Sequence, residues 1–144
     1  METAVLAEWN QQNINEFRAN DGKVGGPFAG APMTLLHHVG RKSGTQYVTP
    51  LVYQPKDGPD DSIYVFAAFA GAPEHPDWYY NLVAAGQATV EVGTEAYQVT
   101  VSEVTGDDRD RVWAKQVSLA PGFSDYEKKT AGIRVIPILE LTRR

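Results

Sequence analysis

The chain of 144 residues is 42% hydrophobic and 22% charged, with 18 acidic against 13 basic residues, a net charge of −5 and no cysteine. This length and composition suit a single globular domain over residues 1–144 and exclude a disordered chain. Without cysteine there are no disulfides, thiolate metal sites or cysteine nucleophiles, and the acidic balance argues against nucleic-acid binding while leaving room for one local cationic cluster.

The first element is a helix over Thr3 to Arg18, where Val5, Leu6, Trp9, Ile14 and Phe17 recur at mixed three- and four-residue spacings. This opening segment has no basic stretch followed by an apolar core, so it does not read as a secretory signal. No apolar run in the chain approaches the roughly 20 residues of a membrane span. A cytoplasmic protein without an integral membrane segment is expected, with peripheral association left open. Turn residues follow from Asn20 to Gly26, with Gly30 beyond. Met33–Val39 reads as a strand stopped by Gly40, and Arg41-Lys42-Ser43-Gly44 as the turn out of it. Gln46–Tyr53 resumes as a strand rich in β-branched and aromatic residues.

Lys56-Asp57-Gly58-Pro59 marks an exposed turn, and Ile63–Phe69 a nearly all-apolar central strand. Glu74–Ala84 reads as a short helix with Pro76 in its first turn. Ala88–Val92 and Ala96–Val104 form a hairpin across Gly93-Thr94. Asp107–Leu119 is helical up to Pro121-Gly122, and Phe123–Thr130 adds a helical turn or two. Arg134–Leu141 is a last strand interrupted by Pro137. The plan is α+β, mostly antiparallel, with an N-terminal helix and helices inserted between strands. Closure into a small barrel would protect the strand edges.

Three constellations carry chemistry. Gly40-Arg41-Lys42-Ser43-Gly44, followed by Thr49-Pro50-Leu51, places two long cations, a hydroxyl and backbone amides in one glycine-bounded bend, able to surround a phosphate. A solvated hairpin turn explains the same residues. The bend is not a P-loop, and no Gly-x-Gly-x-x-Gly follows a strand to make a Rossmann site. In Gly71–Leu82, His75 and Asn81 can orient a heterocycle and Trp78 can pack beside its ring. A core tryptophan, and a histidine that caps a helix or makes a structural hydrogen bond, explain the same residues equally well. Phe123 and Tyr126 lie three apart, on one helical face, either as an aromatic wall over a substrate or as anchors to the core.

Conventional catalytic sets are absent. His37, His38 and His75 lack metal-ligand spacing, and adjacent His37 and His38 should point to opposite faces of a strand. Ser43 has no nucleophile-elbow setting, and the pairs Asp60-Asp61 and Asp107-Asp108 read as solvated turns. Hydride transfer, in which a coenzyme supplies the electronics and the protein holds two planar molecules in reach, suits such a chain.

Taken in order, Asn15–Asn20 with Gly22–Gly26, Gly40–Gly44, Thr49-Pro50-Leu51, His75-Pro76-x-Trp78-Tyr79-x-Asn81-Leu82, Pro121-Gly122-Phe123-x-x-Tyr126 and Arg134-Val135-Ile136-Pro137 resemble the deazaflavin (F420)-dependent nitroreductase family. The resemblance covers almost the whole chain and implies a split β-barrel of the kind found in FMN-binding oxidoreductases. It implies an enzyme moving hydride from reduced coenzyme F420, an 8-hydroxy-5-deazaflavin, to a quinone, nitro compound or other small organic acceptor. FMN is the alternative coenzyme, and a non-catalytic coenzyme-sequestering protein the alternative class.

By the same resemblance, Arg41, Lys42, Ser43 and Gly44 would hold the coenzyme's phosphate. Thr49, Pro50 and Leu51 would lie along its ring, and Ala67, Phe69, Pro76, Trp78 and Asn81 would complete the coenzyme site. Phe123 and Tyr126 would face the substrate, with the Tyr126 phenol as the candidate proton or hydrogen-bond donor. Two departures stand out. Tyr47 occupies a position where many relatives are basic, and Ala68-Phe69-Ala70 replaces a stretch that usually carries serine and lysine.

Overall fold

The computed structural model describes residues 3–56 and 61–144. Helix α1 (Thr3–Ala19) leads into strands β1 (Met33–Val39), β2 (Gln46–Pro55) and β3 (Ser62–Phe66). Helix α2 (Asp77–Ala85), the hairpin β4 (Gln87–Val92) and β5 (Glu95–Val104), helices α3 (Gly106–Leu119) and α4 (Phe123–Thr130), and strand β6 (Ile138–Arg143) complete the chain. The turn expected after Lys56 lies, from Asp57 to Asp60, outside the described residues.

The six strands close into an antiparallel barrel in the order β1-β2-β3-β6-β5-β4, so the last strand is inserted between the third and the fifth. Alternation along each strand builds two layers of core at once. Leu36, Ile63, Val65, Val90, Val99, Leu139 and Leu141 fill the barrel, and Trp78 and Leu82 of α2 join them. Their neighbours point outward: Met33 and Leu35 pack beneath Ile14 and Phe17 of α1, while Phe66 and Ile138 pack with Trp113 of α3. With both faces covered, β1 and β3 read as nearly continuous apolar runs.

The barrel has a slit. β1 pairs with β2 from Met33↔Val52 to Val39↔Gln46, but β2 pairs with β3 only over Tyr53–Pro55. From Gln46 to Val52, β2 therefore has a partner strand on one edge only. Pro50 is tolerated mid-strand for that reason, since its missing N–H removes no ladder bond on the open side.

Three boundaries differ from the sequence reading by three residues or more. The central strand stops at Phe66 rather than Phe69, because Phe69, Ala70 and Gly71 all take left-handed backbone angles (φ 48°, 52° and 82°). Helix α2 starts at Asp77 rather than Glu74. Pro73 and Pro76 disfavour helical backbone in the residues before them, and Pro76 itself is extended at ψ 153°. The last strand begins at Ile138, after Pro137, whose carbonyl accepts one in-register bond from the Ala67 amide but which has no N–H to return it.

Candidate active site

The slit in the barrel opens into a cavity of about 990 Å³. Its floor is the open stretch of β2, with Thr49, Pro50, Leu51 and Val52 exposed to it. The cationic bend between β1 and β2 and the segment from Ala120 to Tyr126 line it as well. The start of α2 and the turn at Phe69-Ala70 form the remaining wall.

The bend is tightly built. The Gly40 amide donates to the Thr45 carbonyl at 2.8 Å and the Gly44 amide to the Gly40 carbonyl at 2.9 Å. Ser43 Oγ accepts the Thr45 amide at 3.1 Å. A Cβ on Gly40 would stand 2.4 Å from Ser43 Oγ, so a larger residue there would displace the serine hydroxyl. The Arg41 amide donates to Asn81 Oδ1 at 3.0 Å, which ties the bend to α2, and the Arg41 guanidinium lies 4.9 Å from the centre of the Tyr80 ring. Arg41 and Lys42 are exposed, and neither forms an ion pair among the described residues. Two such cations next to backbone amides can hold a phosphoryl group with charge-assisted bonds.

Behind the bend, Asn81 Nδ2 donates to His38 Nδ1 at 3.0 Å, and His38 Nε2 is 2.9 Å from Thr49 Oγ1. Burial holds the His38 pKa down to about 4, with Asp77 opposing in part and His37 assisting. His38 stacks on Tyr47 at 5.4 Å with 24° between the rings. His37 points the other way, 2.6 Å from a Glu91 oxygen that also binds Arg18, so the two histidines do occupy opposite faces. No group of three metal-ligating side chains exists among the described residues.

The far wall is aromatic. Phe123 and Tyr126 make an edge contact at 5.2 Å, and Phe123 also meets Phe66 at 5.7 Å and Trp113 at 6.0 Å. The pair thus anchors α4 to the core and presents ring surface to the cavity as well. The Tyr126 phenol has no hydrogen-bond partner among the described residues.

The turn at 67–72 is held from behind by Arg134. Its Nη1 donates to the Ala67 carbonyl at 3.0 Å and to His75 Nδ1 at 2.9 Å, Nη2 to the Ala68 carbonyl at 2.9 Å, and Nε to the Ala72 carbonyl at 3.0 Å. Burial and the Arg134 charge both lower the His75 pKa, which keeps Nδ1 free to accept. His75 is therefore structural here and takes no place on the cavity wall.

Of the residues singled out in the sequence, Arg41, Lys42, Ser43, Thr49, Pro50, Leu51, Phe69, Pro76, Trp78, Asn81, Phe123 and Tyr126 all line this one cavity. Gly44 and Ala67 do not. Gly44 supplies the left-handed angle (φ 73°) that turns the bend, and Ala67 is wholly buried with amide and carbonyl both engaged. Asn10, Phe28, His38, Val52, Phe66 and Asp77 also reach the cavity without having been singled out for it. His38 was weighed in the sequence only as a metal ligand. A buried strand histidine always needs polar partners, but nothing in the sequence names Thr49 and Asn81 as those partners.

Comparison with known proteins agrees with the fold. The model of the F420H(2)-dependent quinone reductase family matches residues 9–142. An F420H(2)-dependent quinone reductase of Mycobacterium tuberculosis is 34% identical over 132 residues, covering 89% of this chain and 85% of that protein. The structure of an F420-H2 dependent reductase, FDR-A, superposes with a TM-score of 0.66 at 30% identity, over 76% of this chain and 93% of that one. A structure described as a domain-swapped dimer gives a TM-score of 0.67 at 27% identity, over 97% and 99% of the two chains. Matched along nearly its whole length and built on the same barrel, the chain belongs to the F420H(2)-dependent quinone reductase family.

Proposed function

We propose that the protein is an oxidoreductase that binds reduced coenzyme F420 in the barrel slit and reduces a quinone beside it. The observation that carries this is the cavity of about 990 Å³ itself, lined together by the cationic bend, the apolar open edge of β2 and the aromatic pair Phe123 and Tyr126. A cavity of this size and lining suits a planar heterocycle with a phosphate-bearing side chain and a second flat molecule against it. The bound coenzyme supplies hydride from C5 of its ring.

The chain's own groups do the rest. Arg41, Lys42 and Ser43 grip the phosphoryl group, and Trp78 and Leu51 present flat and branched apolar surface to the ring. Phe123 and Tyr126 hold the acceptor against the ring and exclude water, shortening the reacting distance. The Tyr126 phenol, without a hydrogen-bond partner among the described residues, donates a hydrogen bond to the quinone oxygen on which negative charge develops. The departure at Ala68-Phe69-Ala70 leaves that stretch of the wall without a hydroxyl or ammonium group of its own. An apolar, conjugated carbonyl compound is thus favoured over a polar acceptor. No helix among the described residues is long and apolar enough to cross a membrane.

The test is anaerobic oxidation of F420H2 by a water-soluble quinone, followed by the coenzyme's absorbance, with wild type, Tyr126→Phe and Phe123→Ala. Turnover by wild type with a lowered rate in both variants is expected. Tight binding of F420 without quinone reduction would instead make the chain a coenzyme carrier, and failure to bind F420 would refute the reading outright.

A further inference from the structure

The polar groups behind the cavity have a fixed direction, and the direction can be deduced one atom at a time. A backbone amide can only donate, so the Arg41 N–H at 3.0 Å identifies the Asn81 side-chain atom facing it as the carbonyl oxygen. The other end of Asn81 is then its NH2 group, which also can only donate, and it lies 3.0 Å from His38 Nδ1. His38 Nδ1 therefore carries no proton. A neutral imidazole with Nδ1 bare has its proton on Nε2, and Nε2 is 2.9 Å from Thr49 Oγ1. The threonine oxygen must accept, which leaves its own proton uncommitted, and no protein acceptor among the described residues receives it. His38 and Asn81 are 8% and 4% exposed, so water has little access to reverse the order; all three residues reach the cavity, and half-buried Thr49 is the most exposed of them.

We infer that Asn81, His38 and Thr49 form a one-way hydrogen-bond relay which makes the Thr49 hydroxyl an obligate donor to an acceptor oxygen of the bound coenzyme, and ties that donor to the cationic bend. Asn81 and His38 are positioning residues in this scheme and Thr49 is the contacting one. The inference rests on the reading of the slit as the coenzyme site, and it adds a directional polar contact from β2 to the cations of the bend. A donor locked in place costs no reorganisation when the ligand arrives. Because the relay starts at the Arg41 amide, displacement of the bend would release Asn81 and let the Thr49 hydroxyl rotate.

Two measurements test it. The first needs no ligand: ¹⁵N NMR of the imidazole at neutral pH should find His38 neutral, with the proton on Nε2. A proton on Nδ1, or on both nitrogens, overturns the relay whatever the coenzyme does. The second is the equilibrium affinity for F420 and for a deazariboflavin that lacks the phosphodiester and tail. Thr49→Val and His38→Leu should each weaken F420 roughly tenfold, the value of one lost neutral hydrogen bond at its upper end, and the double variant should be no weaker than either single one. Thr49→Ser, which keeps the hydroxyl, and His38→Gln, which can accept from Asn81 and donate to Thr49, should bind within about twofold of wild type. A loss seen with both ligands puts the acceptor on the ring or its sugar chain, and a loss seen with F420 alone puts it on the phosphoryl group. If Thr49→Val binds like wild type while Arg41→Gln/Lys42→Gln loses affinity, the relay is refuted and the coenzyme reading stands. If wild type binds neither ligand, both are refuted.

Discussion

Replacing Arg134 with methionine offers a severe test of how the cavity wall is held. The guanidinium makes four hydrogen bonds of 2.9–3.0 Å, three to the carbonyls of Ala67, Ala68 and Ala72 and one to His75. Methionine keeps the apolar stem and removes every donor. Bonds to a charged donor contribute about 1.5–3 kcal/mol each when deleted singly, but they share one side chain and are not additive. Freed carbonyls at the turn recover some hydration, and the cost of burying the charge, visible in the lowered Arg134 pKa, is returned. A net loss of about 3 kcal/mol is the consistent figure.

The loss should also be local. Phe69 and Ala70 hold left-handed angles that cost roughly 1–2 kcal/mol each, so the turn relaxes once the clamp is gone and moves the two residues off the cavity wall. Urea unfolding reads the first effect, and the KM for the quinone reads the second. Arg134→Lys, with one compact ammonium in place of a planar fork, should recover less than half of either. A destabilisation below about 1 kcal/mol with an unchanged KM would show that packing alone maintains the turn.

Protonation of His38 should destabilise the fold in mild acid. Its native pKa of about 4 lies below the unfolded value of 6.5, so the unfolded chain takes up the proton first. The contribution is complete above pH 6.5 and falls away as pH drops towards 4, by about 3 kcal/mol. Urea midpoints across this range should fall more steeply for wild type than for His38→Gln. Leu139→Ala, at a wholly buried position inside the barrel, should cost about 3–4 kcal/mol by urea unfolding, because the closed strands cannot collapse onto the void. Neutralising Arg41 and Lys42 should weaken F420 binding most at low ionic strength, and titrations in rising salt should bring wild type and variant together. Equal affinity at low salt would place the phosphate elsewhere.

Periodicity and turn chemistry made most elements legible in advance. β1 was bounded correctly because Gly40 ends an apolar run, and the hairpin of β4 and β5 because Gly93-Thr94 interrupts two alternating segments. Two of the misplaced boundaries fall beside prolines, and the third lies where a distant side chain overrides local preference. Phe69 belongs to a stretch with strong strand propensity, yet Arg134, 65 positions later, collects the carbonyls around it into a left-handed turn. Ala67 was expected at the coenzyme and instead joins that clamp. The wall between Phe123 and the cavity was readable as two alternatives, and packing realises both.

By itself the amino-acid order determined an antiparallel α+β domain, a cationic glycine-bounded bend and an aromatic pair three residues apart, because spacing, turn residues and charge are local properties. Which edge of the barrel stays open was decided by pairing between strands: β2 meets β3 over three residues and β1 over seven. The direction of the bonds from Arg41 through Asn81 and His38 to Thr49 was also a tertiary matter. Those groups lie up to 43 positions apart, and a hydrogen bond has no orientation until both of its ends are in place.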